Sequence, residues 1–143
     1  MLVSVTRLHL RSLRYFPVFV CYAWSAARQA RRSPGFRGGW LGGESIHGNW
    51  TTTVWDSSEA MRAFRNTGVH QRSMPRLLRW CDEASFVHWE QADATPPGHD
   101  EAYDRLARDG KVSKVLRPSA LHAGGRTVGD RRPRSGPVLT PVP

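Results

Sequence analysis

Lysine is nearly missing from this chain. Among 21 basic residues in 143 positions, only Lys111 and Lys114 are lysines, so the positive charge is almost wholly arginine. Acidic residues number 12, which leaves a formal net charge of +9. Cysteine is scarce as well. Cys21 and Cys81 cannot make a disulfide framework, and no Cys-x-x-Cys or His-x-x-x-His spacing offers a zinc site. Both read as buried small hydrophobes of a reducing, cytoplasmic protein. No apolar run approaches the roughly 20 residues that a membrane span needs. P-loop, Gly-x-Ser-x-Gly and Gly-x-Gly-x-x-Gly patterns are all missing, which removes the common nucleotide and serine-hydrolase grammars. The arginines come without a helix-turn-helix, zinc-finger or RNP motif. They read as a solvated basic surface, and specific nucleic-acid binding is not expected.

What the chain does have is tryptophan, six in all, and an apolar share of 39% that suffices for one core. Near the start, Arg7, Arg11 and Arg14 precede the apolar run from Tyr15 to Ala23, and Ser25-Ala26-Ala27 follows. That order mimics a secretory signal. Pro17 sits where it opens a helix at its first turn, and the helical face runs past the apparent cleavage site. The stretch therefore reads as a folded element.

Residues 2–12 alternate in two phases, with a slip near Thr6-Arg7, and predict a strand. Phe16, Phe19, Val20, Ala23, Ala27 and Ala30 form a helical stripe that Pro34-Gly35 ends. Trp40-Leu41 lies between glycine pairs, as in a strand approached closely by other backbone. Trp50-Thr-Thr-Thr-Val-Trp55 is the clearest strand, because all six residues are β-branched or aromatic. Asp56 and Glu59 predict a helix start, Asn66-Thr67-Gly68 interrupts that helix, and a second piece runs from Val69 to Cys81 over an internal Pro75. Residues 84–91 alternate as a fourth strand, with Val87 and Trp89 on one face and Phe86 and His88 on the other.

The order β-α-β-β-α-β is the ferredoxin-like α+β plan: a four-stranded antiparallel sheet with two helices on one face. Residues 1–95 make this unit. Residues 96–122 add a helix and an extended arm. Twelve of the last 21 residues are Gly, Pro or Arg, so 123–143 are predicted to be a disordered basic tail. The open sheet face needs a cover, and a second copy of the chain is the natural one.

The run from Trp50 through Asp56, then Met61-Arg-Ala-Phe-Arg-Asn66, His70, Met74-Pro75 to Trp80, and Ala84 to Trp89, resembles a bacterial family of unknown function. That family lies in the dimeric α+β barrel superfamily, with the antibiotic-biosynthesis monooxygenases. The resemblance implies a homodimer with one pocket per subunit, between sheet and helices. It implies activities such as cofactor-free oxygenation of aromatic compounds or haem degradation. It also offers His70 as general base or, if haem is bound, as iron ligand, and Asn66 as the residue that polarises oxygen. Trp50, Trp55, Phe64 and Met74 are the candidate pocket wall. By parity, Trp50 and Trp55 face opposite sides of their strand. His88 reads as a sheet-face or interface residue. Whether the cofactor is haem or none, and whether the chain is a monooxygenase or a non-catalytic ligand-binding module, stays open at this level.

Overall fold

The computed structural model describes residues 1–143. Strand β1 (Leu2–Leu10) is followed by a 3-10 turn and helix α1 (Phe16–Arg32). Strands β2 (Phe36–Gly43) and β3 (Gly48–Trp55) form a hairpin. Two helices, α2 (Ser58–Arg65) and α3 (Gly68–Trp80), lead into β4 (Cys81–Glu90). Helix α4 (His99–Asp109), the short strand β5 (Lys111–Val112), helix α5 (Ala120–Ala123) and the short strand β6 (Val138–Leu139) complete the chain. The sheet order is β5-β4-β1-β3-β2-β6, antiparallel throughout. Its inner four strands keep the expected ferredoxin-like order, and two short edge strands raise the total to six.

Strand β1 passes Thr6-Arg7 without a slip; the register shift falls later, between His9 and Leu10. The sequence misleads here because both sheet faces are covered. Arg7 holds an inward position only because its guanidinium meets two buried carboxylates, Glu44 and Glu83. A paired charge then breaks the apolar alternation without breaking the strand. The start of α2 also moves by one residue. Ser57, not Asp56, caps it by accepting the Ala60 N–H, and Asp56 instead pairs with Arg37.

Helices α1, α2 and α3 lie over one sheet face. On the opposite face, Val3, Val5, Trp40, Trp50, Val54 and Val87 pack against Ala102 and Leu106 of α4 and against Val128. The cover assigned above to a second copy is thus supplied by the chain itself.

The tail read as disordered is held in place. Ser85 Oγ donates to the Thr127 carbonyl at 2.7 Å, Thr127 Oγ1 to the Leu106 carbonyl at 2.7 Å, and Tyr103 to the Gly129 carbonyl. Leu139 is buried against Leu2, Phe36 and Trp55. Glycine, proline and arginine dominate the composition, but a few apolar and threonine anchors at wide spacing suffice to dock it. The glycines of β2 are what admit it: a Cβ on Gly42 would stand 2.7 Å from the Arg134 carbonyl oxygen.

The cysteine reading holds for one residue of the two. Cys81 is buried, and desolvation pushes its thiol up to about 12. Cys21 is exposed on α1, because it falls on the outer side of the Phe19–Ala23–Ala27 stripe. No helix is long and apolar enough to cross a membrane.

Candidate functional site: a cavity between sheet and helices

A cavity of about 440 Å³ lies between the sheet and the three covering helices. Its origin is legible in side-chain size. Strands β1 and β3 present Ser4, Thr6, Thr51 and Thr53 as a floor of small residues. Helix α1 passes overhead with Ala23, Ala26, Ala27 and Ala30. Small side chains face each other across the gap, while Phe19, Trp55, Phe64, Met74 and Phe86 form its sides. The volume lies in the range of small-molecule sites. The lining holds no carboxylate. Its charged or titratable members are Arg65, Lys114, His70, His88 and Tyr22.

His70 sits on the first turn of α3, next to the helix break. Its Nδ1 lies 3.3 Å from the Arg65 carbonyl oxygen. A carbonyl only accepts, so Nδ1 carries the proton and Nε2 carries the lone pair. The ring packs on Phe64 at 4.8 Å between centroids. Burial pushes the imidazole below its ordinary value, the Arg65 carbonyl opposes this, and the Arg65 charge adds to it. His70 is therefore a neutral imidazole at neutral pH, the state that a general base or a metal ligand needs.

The break that places His70 depends on Gly68, whose φ of +60° lies in the left-handed region. A Cβ there would stand 2.9 Å from the Gln29 side chain. Gln29, on α1, bridges the break. Its amide donates to the Phe64 and Thr67 carbonyls, and its Oε1 accepts the His70 backbone N–H. No sequence signal singles out Gln29, because its partners sit roughly 40 residues away in the chain, across a helix pair.

The candidate residues do not all meet here. Trp55, Phe64 and Met74 line the cavity with His70. Trp50 does not; it is buried on the opposite face, stacked on Tyr103, with its indole N–H on Glu44. The parity argument separated the two tryptophans and the structure assigns Trp55 to the cavity. Asn66 caps the end of α2, is exposed and lies outside the lining. Its Oδ1 instead accepts from Arg65 Nε at 3.5 Å. A helix-ending residue before Gly68 turns outward with the chain, so adjacency in sequence to His70 does not bring it inward.

His88 is the residue that sequence reasoning undervalued. It lines the cavity on β4, 5.3 Å from Phe86 between ring centroids. Desolvation and the Arg65 charge hold it below the ordinary histidine range. The signal was available: His88 shares strand parity with Phe86 and opposes the buried Val87.

No family profile matches the chain, and no curated protein does. Solved structures match its fold. An antibiotic biosynthesis monooxygenase aligns with a TM-score of 0.57 at 11% identity, over 65% of this chain and 100% of that one. PA3566 from Pseudomonas aeruginosa aligns at 0.55 and 10%, over 64% and 94%. A variant of SnoaB, a cofactor-independent oxygenase from Streptomyces nogalater, aligns at 0.52 and 16%, over 67% and 97%. These likenesses show a shared fold, that of the antibiotic-biosynthesis-monooxygenase-like proteins.

Proposed function

We propose that this chain is a monooxygenase-like protein that binds a flat, apolar or aromatic small molecule bearing an acidic hydroxyl or carboxyl group. The observation that carries the reading is the neutral His70 imidazole, with its Nε2 lone pair free, in a cavity lined by aromatic rings and two cations but no carboxylate. Trp55, Phe64 and Phe86 supply the faces on which a planar ligand stacks. Arg65 and Lys114 favour its anionic form. His70 accepts the proton as that anion forms, and the Arg65 carbonyl steadies the imidazolium. An electron-rich anion of this kind is what direct reaction with dioxygen requires. SnoaB, described as cofactor-independent, makes an oxygenase of this fold without a cofactor a concrete precedent.

The same residues also fit haem. A histidine that donates Nδ1–H to a backbone carbonyl has the usual setting of a metal ligand. His70 would hold the iron, and Arg65 and Lys114 would pair with the acidic side arms. When bound, haem supplies redox-active iron. The protein part of that reading is the orientation of His70 by the Arg65 carbonyl. The two unpaired cysteines accord with a cytoplasmic setting.

Native mass spectrometry of the purified protein, followed by aerobic incubation with hydroxylated polycyclic aromatics, tests the reading. The expected result is one ligand per chain and oxygen uptake that His70→Gln abolishes. A Soret band would assign the haem form. A ligand returned unchanged, with no oxygen consumed by the wild-type protein, would make the chain a binding module instead.

A further inference from the structure

On the opposite side of the sheet from the cavity, the chain carries a second cluster of chemically capable residues. Strand β4 bulges there. His9 pairs with Glu83 and Leu10 with Cys81, so Asp82 is the extra residue between two ladder positions. A bulge re-aims a side chain that strict alternation would send to the other face. Here it brings Asp82 to the same side as Glu83, and both meet His9. One donor atom from each of His9, Asp82 and Glu83 lies within 4.8 Å of the other two. His9 Nδ1 and Asp82 Oδ1 are already 2.6 Å apart.

The surroundings hold these donors as a ligand set is held. His47 stacks on His9 with ring centroids 5.5 Å apart and planes 20° from parallel. Its own Nδ1 donates to the Leu10 carbonyl at 3.0 Å, which fixes that ring. Glu83 is buried, with one oxygen on Arg7 at 2.7 Å and the other accepting from Ser119 Oγ at 3.0 Å. The Ser119 N–H bonds the Asp82 carbonyl, so the bulge is pinned from α5 as well. His9 and Asp82 keep 26% and 21% of their side-chain surface, enough for an ion to enter from solvent.

The local charge is the second argument. Arg7 pairs with two carboxylates, Glu44 and Glu83, and a third, Asp82, pairs with His9. The group thus holds three carboxylates against one permanent cation, within a protein whose net charge is +9. Partly buried excess charge of this kind is costly unless a counter-ion joins it.

We propose that His9, Asp82 and Glu83 bind a first-row divalent transition ion of the zinc class, with His47 as a positioning residue. The imidazole nitrogen is the borderline donor that favours such an ion over calcium or magnesium, and carboxylate oxygens beside histidine also occur among zinc ligands. As the ion enters, the His9 proton moves from Nδ1 to Nε2. The Nδ1 lone pair and Asp82 Oδ1 then open from their hydrogen bond to about 3.4 Å, the donor spacing around a tetrahedral ion. The ion ties the end of β1 to the bulge of β4 and leaves the cavity face untouched.

Isothermal titration of the chelator-treated full chain with zinc chloride tests this. The expected result is one ion per chain, with affinity lowered at least tenfold in both His9→Ala and the near-isosteric Asp82→Asn, and unchanged in His70→Gln. Cobalt(II) should give visible d–d bands in the wild-type protein, and zinc should raise its Tm; neither effect should survive in Asp82→Asn. No saturable binding in the wild-type chain, binding that both variants retain, or equal binding of magnesium would each overturn the proposal.

Discussion

Gln29 on α1 accepts the His70 backbone N–H at 3.2 Å, while its amide donates to the carbonyls of Phe64 and Thr67 at 3.2 and 2.9 Å. One side chain thus stitches both sides of the α2–α3 break to the neighbouring helix. Carbonyls at the end of α2 and an N–H at the start of α3 would otherwise be among the orphan groups of helix termini. Gln29→Ala should cost about 1–3 kcal/mol in urea unfolding, since it releases three hydrogen bonds at once. It should also weaken cavity ligands by roughly tenfold, a loss of about 1.4 kcal/mol, because His70 is no longer fixed. Gln29→Glu should restore the bond to the His70 N–H but not the two donated ones, and so recover part of the affinity.

The acid limb of the pH profile follows from His70. Burial lowers its pKa in the folded chain relative to the ordinary value of about 6.5. Activity that needs the neutral ring should therefore persist below pH 6.5 and fail only as pH drops through the lower folded value. Stability has the same sign. Below about pH 6.5 the unfolded chain binds protons that folded His70 refuses, so unfolding becomes easier as pH falls. His88 shifts in the same direction, with desolvation as the larger cause. Urea midpoints measured from pH 5 to 8 should slope downward on the acid side, and His70→Gln should flatten that slope.

Arg7 is the charge on which the opposite face depends. Its Nη1 lies 2.7 Å from Glu83 and its Nε bonds Glu44, and the group is almost fully buried. Burial alone would push Glu83 up; the guanidinium outweighs it and holds the carboxyl below the usual range. Removing Arg7 strands two carboxylates in the interior. Arg7→Met should cost about 3–5 kcal/mol, with a loss that lessens at acid pH as the stranded carboxyls protonate. Circular dichroism against urea at pH 7 and pH 5 measures both parts. Equal losses at the two pH values would contradict the account.

The inner sheet was legible because its cues are local. β-Branched and aromatic runs named β3, the alanine stripe named α1, and the glycine break separated α2 from α3. Those cues carried no information about what covers the second face. Ala102, Leu106 and Val128 sit in segments dominated by charged or small residues, and only their three-dimensional convergence makes a layer. The candidate site divides along the same line. His70, Trp55, Phe64 and Met74, which the resemblance offered, line one cavity. Asn66 fails because a helix cap turns outward, and Gln29 is invisible because its bonds span two helices. Arg7 disguised a continuous strand as a broken one, since a buried charge with partners looks polar in sequence and apolar in position.

Leu139 gives the sharpest test of the docked C-terminal segment. It is 4% exposed, packs with Leu2, Phe36 and Trp55, and also lines the cavity. It is anchored by pairing with Gly39 on β2, and the chain beyond it is held by the bonds between Arg31 and Thr140 and between Val142 and Arg31. A flexible tail would tolerate Leu139→Ala at no cost. A docked one should lose about 2–5 kcal/mol, the usual range for a buried Leu→Ala change. Because Leu139 also forms part of the cavity wall, the same variant should enlarge the cavity and admit bulkier aromatic ligands. Limited proteolysis reads the docking directly: the wild-type segment 123–143 should resist cleavage, and Leu139→Ala should be cut between Gly124 and Pro137. Cleavage of both chains at the same rate would show that the segment does not hold its place on β2.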